Sequence, residues 1–568
     1  MKMKKAMAGV LALSMAASMA ACGGSTSSAS AGGATGDTAS STASDDGSVK
    51  EFTAFFAVPG SEINDDNEIQ QQLAELTGAK CKETWLTGQT ASEAVGTLIA
   101  GGEYPDFIDG SDGTQQLYEA GALIPLDEYW DDYPSIKNFW TEQQWDQVRR
   151  DDGHVYWIPQ FGRMNEKDMS TIPAEAFWVQ TRVLKWANYP KLETLDEYFQ
   201  LLEDYQAANP TMEDGTANIP YTILCDDWRY FCLENAPQFL DGYPNDGSVI
   251  VDVDTKKIVD YNTTDTAQRY FKKLNEEFQK GIVDPESFTQ TYDEYIAKLS
   301  TGRVLGMVDQ YWDFGYTVTD ALKQAGLNAQ GCDYIPFGLT IDKGMHNQWV
   351  TGGSSINSSN GLGISVSCQD VPGALQFIED LLSQEATTLR SWGEKDVDYM
   401  VGDDGTFSRT EDMRMQASDT AYKASHLCAY SYFPTYGGMN LDGINAATPD
   451  TQPGEFYDSL SDDIKEAFTA YGVKTYNELM GINEQPGPWY PMYSHSNNMT
   501  TSTPGGTAWT KMGEIKHEYL PKVVMADDFD AGWGEYLAAY STCKPEDFLS
   551  EMQTELDKRL ASAAKYAQ

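Results

Sequence analysis

Positive charge is what this 568-residue sequence has least of: 39 Lys and Arg stand against 86 Asp and Glu, a formal net charge of −47. A surface that acidic repels phosphate backbones, so no nucleic-acid partner is expected. Histidine is scarcer still. His154, His346, His426, His495 and His517 form no His-Glu-x-x-His or other close pair, so no metal site is assigned. Neither a Gly-x-Ser-x-Gly elbow nor a Gly-x-x-x-x-Gly-Lys-Ser/Thr phosphate loop is present. The eight cysteines make no Cys-x-x-Cys pair. Most of them read as small buried apolar residues, with Cys225–Cys232 the one pairing worth testing. Beyond the first two dozen residues nothing approaches 18 uninterrupted apolar residues, so no membrane span is expected in the body. Carboxylates are so abundant that a pair at any chosen separation is no sign of a glycosidase. An enzyme is not expected.

What is present is apolar and aromatic. Hydrophobic residues make up 41% of the chain, enough for a sizeable core, and there are 14 Trp, 32 Tyr and 22 Phe. Trp and Tyr in such numbers suit wet, amphipathic contact surfaces. The N-terminus carries Lys2, Lys4 and Lys5, an apolar stretch from Ala6 to Leu13, and small residues ending at Ala21. This reads as a signal peptide over residues 1–21. Met19-Ala20-Ala21-Cys22-Gly23 resembles a bacterial lipobox, with Met19 where Leu is usual. It implies a diacylated Cys22 and a stable membrane anchor on the extracellular face. Residues 22–50 are nearly all Ser, Thr, Ala, Gly and Asp and read as a flexible tether.

In the body, strand-like and helix-like patterns alternate. Residues 51–58, 82–85 and 105–109 read as strands, and 67–77, 92–100 and 115–119 as helices. The alternation restarts with strands at 176–183, 221–224, 303–309 and 333–337, separated by helices at 195–208, 266–279 and 319–324. Two α/β lobes with mostly parallel sheets are the simplest account, with ligands expected beyond the carboxyl ends of strands.

Several segments resemble extracellular solute-binding lipoproteins (family 1) of carbohydrate ABC importers, especially the long Gram-positive type. Glu103-Tyr104-Pro105-Asp106-Phe107-Ile108 is similar to that family's Gly-x-x-Pro-Asp plus apolar strand. Gly121-Ala122-Leu123-Ile124-Pro125-Leu126-Asp127 and Gly153-His154-Val155-Tyr156-Trp157-Ile158-Pro159 resemble two further motifs. Gly281–Glu286, Gly302–Met307 before Trp312, and Ser391–Tyr399 follow in the family's order. Two departures stand out. Gln180 replaces an expected Arg, and residues 209–220 keep only Glu213 and Asp214 of an EF-hand-like calcium loop. No cofactor is expected, with calcium at that loop the disfavoured alternative.

The resemblance implies a periplasmic-binding-protein-like fold with a ligand cleft between two lobes that close by hinge motion. On that pattern lobe 1 spans 51–163 plus 337–385, lobe 2 spans 164–336 plus 386–520, and residues 521–568 form C-terminal helices packed on the lobes. Phe161-Gly162 and Phe337-Gly338 are the expected hinge crossings. The implied function is a monomeric, lipid-anchored receptor that hands an oligosaccharide to ABC importer permease subunits. A peptide or other non-sugar nutrient on the same fold is the alternative, and a surface glycoside hydrolase a more distant one.

Sugar faces need flat rings and sugar hydroxyls need polar side chains, which ranks the candidates. Trp312 and its neighbours Tyr311 and Asp313 follow an apolar strand, and Trp228 is flanked by acids and Arg229. Trp349 precedes the Gly352-Gly353-Ser354-Ser355 loop, and Trp392 stands in the late motif. Asp109 ends a strand, and Glu62 follows Pro59-Gly60. Trp157 and Trp178 read as structural, and Trp130, Trp140 and Trp145 as part of a helical surface region.

Overall fold

The computed structural model describes residues 49–60, 63–244, 248–427 and 429–567. The signal, Cys22, Glu62 and Cys428 lie outside the described residues.

Two separate hydrophobic cores organise residues 49–567. The first is built from residues 52–158, 356–386 and 429–433. Strand β1 (Lys50–Phe56) pairs in parallel with β2 (Ala79–Trp85) and with β3 (Phe107–Asp109). The linking helices Glu68–Thr77 and Ala91–Gly101 are fixed at their starts by Asn67 and by a Thr90–Glu93 capping box. Gly78 in the left-handed region ends the first of them. Strand β4 (Trp157–Ile158) forms the far edge of this sheet, and β5 (Met164–Asn165) lies beyond it in a connecting segment.

The second core takes residues 176–350 and 456–556. Its sheet centres on β6 (Glu175–Gln180), all buried. The β7–β8 hairpin (Ile250–Asp252, Lys257–Val259) stands apart from it. Strand β9 (Gly306–Gln310) and β10 (Tyr334–Phe337) flank β6, both antiparallel to it. After β11 (Val350–Thr351) the chain returns to the first sheet as β12 (Leu362–Ile364), antiparallel between β3 and β4.

The expectation of mostly parallel sheets is therefore corrected. Within the first sheet only the consecutive strand–helix–strand units pair in parallel, and β12, which arrives from the other core, enters in the opposite sense; the second sheet is antiparallel throughout. Residues 221–224 form no strand but a single bridge from Tyr221 to Val283. Gln180 at the expected Arg is buried and accepts a 2.6 Å bond from Arg182 Nε, so a guanidinium is supplied two residues later.

The core memberships also differ from the expected lobe limits. Leu339, Ile341, Trp349 and Val350 belong to the second core, because β10 is held in the second sheet. Ala429, Tyr430 and Phe433 belong to the first, where Tyr430 Oη accepts from Cys81 N and Arg390 donates to the Tyr430 and Phe433 carbonyls. Trp130, Trp140 and Trp145 are core residues, not surface ones: Trp140 and Trp145 satisfy their indole N–H on the Pro159 and Lys137 carbonyls. Trp157 and Trp178 are buried. Cys81, Cys225, Cys232, Cys332, Cys368 and Cys543 are buried free thiols, so Cys225 and Cys232 are not paired. Among the described residues no helix is long and apolar enough to cross a membrane.

Candidate functional site

Three segments run side by side between the two cores. Residues 161–165 touch residues 353–355 through Met164 N to Ser354 Oγ (3.0 Å) and Ser355 N to Gly162 O (3.3 Å). On the other side β5 pairs in parallel with Gly437–Gly438. Gly162 has φ +83°, and a Cβ there would stand 2.0 Å from the Ser355 carbonyl oxygen, so only glycine fits this crossing. Phe161-Gly162 is thus at a crossing. Phe337-Gly338 is not: it closes β10 within the second core, and the return crossing comes later, after β11.

On the second lobe, β9 runs directly into the helix Tyr311–Gln324, which sets Trp312 on its first turn, 48% exposed. Trp228, 42% exposed, stands on the short turn Asp227–Tyr230, entered through Asp227 at φ +50°. The two indoles lie 5.7 Å apart and within 12° of parallel. That spacing is too small for a sugar ring to enter between them, so they form one stepped platform, backed by Phe231.

Arg229 locks this platform from behind. Its guanidinium lies 4.4 Å from the Trp228 ring and 3.9 Å from the Tyr292 ring, and its Nε donates to Asp313 Oδ1 at 2.9 Å. Tyr292 Oη closes the loop on the Asp313 carbonyl. Asp313 is therefore a buried partner of Arg229. Beneath it Asp309 accepts from Tyr295 Oη and Cys232 Sγ, and burial drives its pKa well above the usual carboxylate range. Cys232, Asp309 and Asp313 could hold a metal by proximity alone, but the Arg229 cation already occupies Asp313.

On the first lobe Asp109 ends β3, buried, accepting from Ser111 N (2.8 Å) and Gln160 Nε2 (2.5 Å). Burial raises its pKa to about 6 despite those bonds. Next to Gln160, Phe161 is 49% exposed and meets Tyr432 edge-on, with Trp85 packed behind. Asp112 has its pKa raised by the crowding of its surroundings and by the negative charge of Asp227 on the opposite lobe. The two lips face each other with like charge.

The remaining candidates fall elsewhere. Tyr311 turns away from the platform and packs on Trp178, facing a separate cavity of about 800 Å³ lined also by Asp333, Asp463 and Tyr189. Trp349 is core: it stacks on Phe239 at 3.9 Å and donates to the Leu339 carbonyl. Trp392 is core as well, donating to the Ala446 carbonyl. The glycine loop after Trp349 keeps its amides for the connecting segments, with Gly352 N on Asn483 O and Gly353 N on Asp168 Oδ2. In the 209–220 loop Asp214 accepts from Thr216 N of its own turn. Gln160, Asp112 and Glu175 escaped sequence reasoning, and Phe161 entered it only as part of a hinge crossing, because each becomes notable at the site only through a neighbour distant in the chain.

Two cores, three connecting segments and an exposed aromatic platform define a two-lobed binding protein. The chain belongs to the bacterial extracellular solute-binding protein family, whose description it matches over residues 70–392, more than half its length. It is 27% identical over 252 residues to the fructooligosaccharide ABC transporter substrate-binding protein FusA of Streptococcus pneumoniae serotype 4 (strain ATCC BAA-334 / TIGR4). That match spans 41% of this chain and 45% of the relative, under half of either. The fold is similar to the structure of S. pneumoniae FusA with kestose (TM-score 0.63, 16% identity, 90% of this chain and 100% of that one). It is also similar to the alginate-binding protein AlgQ2 without calcium ion (TM-score 0.61, 14% identity, 90% and 98%).

Proposed function

We propose that the protein is an extracellular receptor that binds an oligosaccharide between its lobes and delivers it to an ABC importer. The observation that carries this reading is the exposed, near-parallel Trp228–Trp312 platform on the second lobe. Flat indoles cover the C–H faces of sugar rings, and the cost of removing one such stack is roughly 1–3 kcal/mol. Similarity to FusA, a fructooligosaccharide ABC transporter substrate-binding protein, supports the same ligand class. Arg229, the cation beside the platform, is bound to Asp313 and is not free to neutralise an acidic ligand, which favours an uncharged glycan. Phe161 supplies an exposed ring on the first lobe, with Asp109 and Gln160 buried beside it. The N-terminal pattern ending at Cys22 supports a lipid anchor holding the receptor at the cell membrane.

Thermal-shift and calorimetric screening with kestose, longer fructans, other neutral oligosaccharides and peptides tests this reading. Neutral oligosaccharides are expected to stabilise the protein and to lose affinity in Trp312→Ala. Stabilisation by peptides with none by sugars would overturn the ligand class, and release of reducing sugar would turn the receptor into an enzyme.

A further inference from the structure

An exposed indole on the first turn of a helix has several rotamers available, so something must hold Trp312 in the plane of Trp228. The structure shows one polar tether on the ring: Trp312 Nε1–H donates to Gln310 Oε1 at 2.5 Å. A primary amide can present either its oxygen or its nitrogen to a neighbour, and the wrong orientation would set donor against donor. What fixes Gln310 is its other end. Gln310 Nε2 donates to Glu175 Oε2 at 3.0 Å, and Asn235 Nδ2 approaches the same oxygen at 3.4 Å.

The fold dictates this arrangement. In the antiparallel pair of β6 and β9, Glu175 and Gln310 stand directly opposite each other, at the end of both strands where the chain turns into the Trp312 helix. Glu175 is buried, with 1% of its surface exposed, and its Oε1 has no hydrogen-bond partner. A carboxyl group in that position earns no stability by itself; its desolvation is costly. Burial pushes its pKa to about 8, against the lowering effect of Asn235 and Gln310. A group held there at a cost, with one oxygen committed to orienting an amide that holds a ligand platform, has a positional purpose.

We propose that Glu175 is a positioning residue for ligand binding, acting through Gln310 to orient the Trp312 indole. This rests on the reading of the Trp228–Trp312 platform as the sugar-binding surface. Glu175 itself does not touch the ligand. It sets which atom of Gln310 faces Trp312, and Gln310 sets the plane of the ring.

The test combines a ligand-free and a ligand-bound measurement on the whole protein. In protein labelled with 15N-tryptophan, the Trp312 indole N–H resonance is assigned by its loss in Trp312→Phe. Glu175→Met and Gln310→Met should each shift that resonance and weaken kestose binding three- to tenfold. The double variant should be no weaker than the worse single one, since both break one relay. Glu175→Gln keeps a neutral acceptor oxygen for Gln310 and should restore the resonance and the affinity. In a Trp312→Phe background, Glu175→Met should have no further effect on affinity. An unmoved resonance in Glu175→Met, or an affinity loss that persists in the Trp312→Phe background, overturns the proposal. If Glu175→Met does not fold, Glu175→Asp, which keeps the carboxyl but draws it back from Gln310 Nε2, decides it by the same resonance. Should kestose and other oligosaccharides fail to bind the unaltered protein, the receptor reading fails, while the indole resonance still decides the relay.

Discussion

The two faces of the cleft are built on opposite plans. The second lobe offers rigid apolar area, with two exposed indoles braced by a buried Arg229–Asp313 pair and a Glu175–Gln310 tether. The first offers one exposed ring, Phe161, standing at a crossing segment, with the polar pair of Asp109 and Gln160 buried beside it. The difference teaches that binding energy and closure are divided. The indoles are fixed before any ligand arrives, whereas Phe161 and Gln160 sit where the connecting segments bend, so their contacts depend on the angle between lobes.

The largest effect expected from breaking this division is at the brace. Arg229→Ala leaves Asp313 buried without its cation, beside an Asp309 already raised by burial. Loss of one partner of a buried pair costs about 3–5 kcal/mol. Chemical denaturation should show that loss, and Arg229→Met with Asp313→Leu should recover a good part of it. A loss below about 1 kcal/mol would mean that the platform is not braced by this pair.

Next come the rings themselves. Trp228→Ala and Trp312→Ala should each weaken oligosaccharide binding by roughly 1–3 kcal/mol while leaving the melting temperature nearly unchanged, since both rings are about half exposed. Phe161→Ala should cost less than either. Equal losses on both faces, read by calorimetry, would erase the contrast between lobes. Gly162→Ala acts on closure rather than on contact. Its Cβ would collide with the Ser355 carbonyl at a positive φ, so the ligand-induced compaction seen by small-angle scattering should be lost.

These expectations also mark how far the residues could be read without the fold. The alternation of patterns around β1, β2 and β3 was legible because each strand there is local to its helix. Trp228 and Trp312 were legible because polar neighbours on both sides advertise exposure. Trp349 and Trp392 carry the same kind of neighbourhood and are nonetheless core, because Phe239 and the Ala446 carbonyl, 110 and 54 residues away in sequence, cover them. The antiparallel second sheet was illegible for a related reason: strand direction is set by where a long excursion re-enters, and no local pattern records that. Glu175 reads as one more charge in an acidic chain until its cross-strand neighbour is known.

The pH dependence separates the lobes in a subtler way. Asp109 has a folded pKa near 6 against an ordinary value of 3.8, so the native state holds its proton more tightly than the unfolded chain does. Protons bound in excess by the native state make stability fall as pH rises, here across the window from about 4 to 6. Asp109→Asn should flatten that part of the stability curve, and denaturation midpoints measured at pH 4.5 and 6.5 would show it. An unchanged slope would place the carboxyl in contact with water and weaken the picture of a dry first-lobe edge.

The smallest effect is expected at a long-range ion pair that joins a helix of each face. Lys423 Nζ lies 3.1 Å from Asp320 Oδ2, joining a helix bound to the first core with the helix that begins at Trp312. Both side chains are about one-third exposed, so the pair is worth between zero and about 1 kcal/mol and is weakened by salt. Its leverage lies in what it connects. A contact that exists only when the lobes are near each other biases the open–closed equilibrium by its full value, and half a kcal/mol changes that ratio about twofold. Lys423→Ala should therefore loosen ligand binding by no more than a few fold and enlarge the ligand-free protein slightly, with stability unchanged. If the variant instead binds normally but melts lower, the pair belongs to the scaffold, and closure is governed by Phe161 and the three connecting segments alone.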